Sequence, residues 1–229
     1  VGKFTRYNRG MALTLYWGSG SPFSWRVMLA LQYKGLPYDS QLLHFDKQEH
    51  QSPQMLKLNP RGRVPVLKDG EYVVFESVAI LYYLDLKYPA PPIFGLTPEE
   101  AGVIMRVICE FQSYAEPSLQ RITAAIFEDR VAEEIDALTD AMHVVAREAR
   151  TIEGRLSKEQ WIVGANYTAL DMVIFPWIQL LRRALNKPAA AELGARFLPM
   201  ERNYPALARW IERIEALPGY ENTYPPHWR

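Results

Sequence analysis

Disulfides within the chain are excluded at once, because 229 residues contain one cysteine, Cys109. A thiolate metal cluster goes with them, and no metal-ligand spacing is present, so no metal is expected. Charge of one sign is also lacking. Lys+Arg 26 against Asp+Glu 26 leaves a net charge of +0. Without a global field, neither nucleic acid nor a membrane surface is an expected partner. No apolar run approaches the ~20 residues that cross a bilayer. The N-terminal residues carry charge without an apolar segment behind it, so no secretory signal is expected. A lone thiol suits a reducing, cytoplasmic setting. Phosphate-loop and dinucleotide fingerprints are missing too, as are internal repeats.

What remains is ample apolar material, 48% of the chain, and 17 prolines. The length suits one large domain or two small ones. Residues 13–17 form a short apolar and aromatic run, read as a buried strand. Ser21-Pro22 then opens a helix through Tyr33, with serine as cap and proline where its missing N–H costs nothing. Residues 38–45 fit a second, parallel strand, and 47–59 a loop with a short helix. Residues 64–67 and 71–75 read as strands around the Asp69-Gly70 hairpin turn. A helix follows over 77–86, giving the order βαβαββα. Tyr88-Pro89-Ala90-Pro91-Pro92-Ile93 is the best linker, because prolines break both neighbours. Beyond it all is helical: 97–125, ended or kinked at Pro117, then 132–156, 168–185 and 204–217. Thr168-x-x-Asp171 is a capping-box variant and a folding signal.

Three strings then point one way: Ser21-Pro22-Phe23-Ser24-Trp25-Arg26-Val27, Arg63-Val64-Pro65-Val66 and Phe75-Glu76-Ser77. In this order the chain resembles the cytosolic glutathione transferases of the serine-using kind, from about Ala12 to its end. The first string is similar to the zeta-class serine-rich motif ending Ser-Trp-Arg-Val, whose first serine falls on Ser21. It also resembles the omega-class Cys-Pro-Phe with serine in place of cysteine, which argues against mixed-disulfide chemistry on the protein. Pro22 and Phe23 depart from the zeta motif and from the isomerisation that goes with it.

The resemblance implies an α/β thioredoxin-like domain over 12–88, a linker over 89–96 and an all-α domain over 97–229 that forms the electrophile pocket. Residues 1–11 are an extension, with Met11 a possible native start. It implies a homodimer through the third helix and the long helix after the linker. It also implies glutathione as co-substrate and transfer of its thiolate to a small hydrophobic electrophile. Two other readings stand beside that one: a glutathione-dependent isomerase or peroxidase, and a non-catalytic transferase-like binding module.

The site residues follow from the same match. Helix N-terminal N–H groups favour an anion, so a thiolate beside Ser21 is stabilised against the thiol. Taken alone, Ser-Pro is simply a cap. Tyr16 is the rival activating hydroxyl, or else a strand aromatic packed in the core; Ser19 and Ser24 are lesser rivals. Val64, at a cis-proline step with Pro65, is implied to pair its backbone with the cysteinyl moiety. Glu76 and Ser77 are implied to grip the γ-glutamyl end. His50 and Arg63 are candidates for the glycine carboxylate, with Gln48 and Gln51 as substitutes for His50. Trp17, Phe23, Tyr114 and Arg121 are candidates for the electrophile pocket between the domains.

Overall fold

The structure, a computed structural model, describes residues 13–195 and 197–229. The extension over 1–11 and the question of Met11 lie outside the described residues. The α/β part runs β1 (Leu13–Trp17), α1 (Pro22–Tyr33), β2 (Tyr38–Leu42), α2 (Pro53–Leu58), β3 (Val66–Asp69), β4 (Tyr72–Phe75) and α3 (Ser77–Lys87). The four strands lie in the order β2-β1-β3-β4. β1 is parallel to β2 and antiparallel to β3, and β3 and β4 form the hairpin across Gly70. Alternation along β1 buries Leu13, Leu15 and Trp17 and leaves Thr14 and Tyr16 half-buried on the other face. Strand period, then, puts Tyr16 opposite the main core.

The helical part holds α4 (Pro98–Glu110), a π turn (Phe111–Ala115), α5 (Glu116–Phe127), α6 (Val131–Leu156), α7 (Ala169–Leu185), the short α8 (Ala191–Gly194) and α9 (Met200–Asn203), and α10 (Pro205–Glu215). The fold is thus a thioredoxin-like α/β unit followed by an all-α unit. α7 is buried on nearly every face, as expected of a helix apolar all round. It lies antiparallel against α1, with Phe23 on Trp177 at 5.6 Å, Trp25 on Phe175 at 5.4 Å and Tyr33 on Tyr167 at 5.1 Å. One continuous core therefore joins both units.

Three local differences from the sequence reading have physical causes. β2 stops at Leu42 rather than 45, since four of its five residues are exposed and it lies at the sheet edge. β3 starts at Val66 because Pro65, which follows Val64 across a cis bond, has no N–H for the ladder. The helix over 97–125 is broken by the π turn ahead of Pro117, which then sits in the first turn of α5. A proline ring crowds the carbonyl four residues back, and a widened turn relieves it.

Candidate functional site

Strand register brings the motifs together. Tyr16 pairs with Val66, and Val66 with Phe75. The turn after β1 (18–21), the Val64-Pro65 step before β3 and the Glu76-Ser77 step after β4 therefore share one end of the sheet. Trp17 also pairs with Leu42, and the Leu43 N–H donates to the Trp17 carbonyl at 2.8 Å. The segment carrying His50 thus starts from the same end.

At α1, Ser21 is the N-cap, and its Oγ accepts from the Ser24 N–H at 3.3 Å. The residue is 9% exposed. The cap uses an oxygen lone pair and leaves the hydroxyl proton to donate elsewhere. Ser24 is wholly buried and its Oγ accepts from the Gly18 N–H at 3.3 Å, so it serves the turn. Ser19 is half-buried and bonded to the C-terminal tail.

Among the described residues, Val64 enters no turn, cap or ladder hydrogen bond, so its N–H and C=O are open. Asn59, which the sequence reading did not single out, builds the loop before it. The Asn59 side chain donates to the Arg63 carbonyl at 2.8 Å and accepts from the Arg61 N–H at 3.1 Å. Arg63 itself is exposed. Glu76 takes φ 69° at the start of α3, with its carboxylate exposed and 4.0 Å from Arg61. A non-glycine residue held in that region stores strain and tends to mark a functional position. Ser77 is buried, and its Oγ accepts from Arg26 at 3.1 Å. His50 stacks edge-on against Phe45 at 5.2 Å, and its Nδ1 is buried without a partner. Gln51 is occupied with the Gly62 carbonyl at 3.0 Å, and Gln48 has φ 52°.

The four electrophile-pocket candidates have different surroundings. Trp17 is in the core and its indole donates to Ser40 Oγ at 2.8 Å. Phe23 is half-buried, facing Trp177, with the Arg26 guanidinium 4.9 Å from its ring centre. Tyr114 is 61% exposed on the π turn. Arg121 is tied to Glu134 at 3.1 Å. None of the four lines the ≈ 510 Å³ cavity beside the tail, whose walls include Phe127, Arg182, Arg183, Lys187, Tyr224 and Trp228.

The largest omission of the sequence reading is a buried network between the units. Arg26, 0% exposed, donates to the Val173 carbonyl at 3.1 Å, to Ser77 Oγ and to the Glu116 carboxylate. Glu116 also accepts from the Trp177 indole at 3.1 Å. Burial draws the guanidinium below its ordinary value and Glu116 pushes it back up. One cation thereby fixes Ser77, α5 and α7 together. A basic residue inside the apolar helix sequence 22–33 was the available signal.

Among the described residues, no group of three His, Cys, Asp or Glu can hold a metal ion, and no helix is long and apolar enough to cross a membrane. The family model for the glutathione S-transferase N-terminal domain matches residues 11–86, and that for the C-terminal domain matches residues 114–218. Glutathione S-transferase A of Pleuronectes platessa is 28% identical over 221 residues, 94% of this chain and 92% of its own. The crystal structure of a glutathione S-transferase from the Antarctic clam Laternula elliptica superposes with TM-score 0.80 at 28% identity, over 95% of this chain and 94% of that one. The glutathione transferase URE2P6 of Phanerochaete chrysosporium, in complex with oxidized glutathione, gives TM-score 0.77 at 29% identity, over 93% and 95%. With the sheet order, the all-α unit and both domain models in agreement, the chain belongs to the glutathione S-transferase superfamily.

Proposed function

We propose that the protein is a glutathione transferase, which activates the glutathione thiol and delivers the thiolate to a small electrophile. The observation that carries this reading is the shared end of the sheet, where Ser21, Val64 and Ser77 follow or precede adjacent strands. Strands lie ~4.8 Å apart, so β1, β3 and β4 span about 10 Å, the reach of an extended tripeptide.

In this reading the thiol sulfur sits at the N-terminus of α1. The Ser21 hydroxyl donates to it, and the helix end favours the charged form. Open N–H and C=O groups at Val64 suit the cysteinyl amide. The exposed Glu76 carboxylate suits the γ-glutamyl ammonium, and the Ser77 hydroxyl, oriented by Arg26, suits its carboxylate. His50 and Arg63 remain the candidates for the glycine carboxylate. The thiolate attacks the electrophilic carbon, its electron pair forms the C–S bond, and the leaving group or carbanion takes up the displaced charge. Cations and rings together in the tail-side cavity favour an aromatic electrophile with an anionic group. Exposed Tyr82, Leu86, Leu96 and Val103 on and beside α3 and α4 favour a homodimer through that face.

The test is calorimetric titration with glutathione, with thiolate absorbance followed in the bound state, on the wild type and on Ser21→Ala at pH 7. Binding by both proteins, with thiolate lost in the variant, is the expected result. Thiolate unchanged in the variant moves activation to another hydroxyl. No binding by the wild type overturns the reading.

A further inference from the structure

The C-terminal tail closes over the turn that precedes Ser21. That turn is tied by the Ser21 N–H donating to the Gly18 carbonyl at 3.2 Å, with Gly20 at φ 78°. A Cβ on Gly20 would lie 2.8 Å from His227 Cε1 and 3.3 Å from Trp228 Nε1. Only glycine takes that φ freely and lets the tail approach so near. The tail is anchored from the core side: the Trp25 indole donates to Thr223 Oγ1 at 3.0 Å, and its ring meets Tyr224 at 5.8 Å and Trp228 at 5.5 Å. The Arg183 guanidinium lies 5.2 Å from the Trp228 ring centre.

On this platform His227 Nδ1 is 2.6 Å from Ser19 Oγ, and Trp228 Nε1 is 3.0 Å from His227 Nε2. An indole N–H only donates, so Nε2 accepts. A neutral imidazole that accepts at Nε2 carries its proton on Nδ1. Nδ1–H therefore donates to Ser19 Oγ, and the Ser19 hydroxyl proton is left to donate elsewhere. A hydroxyl that accepts one hydrogen bond is a stronger donor in the next.

We propose that His227 is a positioning residue of the thiol site, which sets the Ser19 hydroxyl as a second donor, beside Ser21, to the glutathione sulfur. This rests on the glutathione reading above. The Ser19 proton stays on its oxygen; the thiol proton leaves to solvent.

Three groups face His227: Ser19 from the turn, Trp228 beside it and Arg183 from α7. Burial, and then the Arg183 charge, hold the imidazole below its ordinary value of 6.5. The folded state thus binds this proton less readily than the free chain does. The arrangement is complete above pH 6.5 and is lost as pH falls through the lowered folded value. A protonated Nε2–H would then face the indole N–H, donor against donor.

The experiment follows the thiolate absorbance of bound glutathione against pH in the wild type, Ser19→Ala, His227→Leu, His227→Asn and the Ser19→Ala/His227→Leu double variant. Ser19→Ala and His227→Leu should each lower the thiolate fraction near neutral pH about threefold. The double variant should be no worse than either single one. His227→Asn, whose amide N–H falls where Nδ1–H was, should keep the wild-type midpoint. Calorimetric affinity for glutathione near neutral pH should fall by no more than about the same factor, since weaker thiolate stabilisation weakens binding through linkage, and should be unchanged at acid pH, where the thiol form binds. If either single variant keeps the wild-type midpoint, or if the two effects add in full, the proposal fails while the glutathione reading stands. If the wild type binds no glutathione, that reading fails first and this one with it.

Discussion

Glu116 and Asp171 are both carboxylates withdrawn from water, 7% and 0% exposed, and they are held in opposite ways. Glu116 faces a cation, the Arg26 guanidinium, and one indole, Trp177. Among the described residues, Asp171 has only neutral donors: the Thr168 N–H at 2.9 Å, the Thr168 hydroxyl at 3.0 Å, the Ile162 N–H at 3.2 Å and the Trp210 indole at 2.8 Å. Asp171 works inside the helical unit, stitching the start of α7 to the loop before it and to α10. Glu116 works between the units, because Arg26 belongs to α1 and also holds Ser77. A neutral donor set fixes a local fold; a charge pair across an interface couples that interface to a candidate ligand group.

Glu116→Ala should break the comparison most. It leaves a buried guanidinium without its counter-charge, and a loss of about 3–5 kcal/mol is expected from urea denaturation. Glutathione affinity should fall as well, because Ser77 loses a firmly held neighbour. The double variant Arg26→Met/Glu116→Leu should lose less stability than Glu116→Leu alone, since no charge is then stranded. An equal or greater loss would mean that the Val173 and Ser77 contacts, and not the ion pair, hold the units together.

Asp171→Asn comes next, at about 2 kcal/mol, because its amide turns one acceptor oxygen into a donor among donors. Glutathione affinity should not change. Desolvation keeps the Asp171 carboxyl above the usual carboxylate range in spite of its four donors. The folded state therefore holds that proton at pH values at which the unfolded chain has released it. Asp171 thus adds stability as pH falls from above its folded value toward the ordinary 3.8. Asparagine cannot titrate, so the cost of the substitution should grow as pH falls toward 3.8. A cost that shrinks on acidification would show that the donors outweigh desolvation.

The same contrast explains what could be read in the sequence. Thr168 and Asp171 are three residues apart and form the capping box that their spacing predicts. The Ser21-Pro22 cap and the Asp69-Gly70 hairpin are equally local, and the structure has both. Glu116 and Arg26 are 90 residues apart, and Ser19 and His227 are 208 apart, so no spacing rule joins them. The motif strings named Val64, Glu76 and Ser77, but their shared sheet end comes from the pairing of β1 with β3, strands that α1, β2 and α2 separate along the chain. Which side chains would face an electrophile is not set by local spacing, since it depends on how α5, α7 and the tail pack. Tyr114 and Arg121 are seven residues apart, and the π turn that holds Tyr114 is not announced by that spacing.

Arg121→Ala makes the smallest and sharpest test. Arg121 and Glu134 form the same kind of pair as Arg26 and Glu116, at 3.1 Å, but the Arg121 side chain is 53% exposed. Water screens the attraction, and two long side chains lose freedom to make it. The substitution should change stability by no more than about 0.5 kcal/mol, and the change should shrink further in salt. With its guanidinium already engaged by Glu134, Arg121 should also leave kcat/KM for a neutral electrophile unchanged. A fall in that value at unchanged glutathione affinity would place Arg121 in the pocket wall. A stability loss rivalling that of Glu116→Ala would show that burial is not what separates the two pairs, and the contrast between a surface bridge and an interface clamp would have to be abandoned.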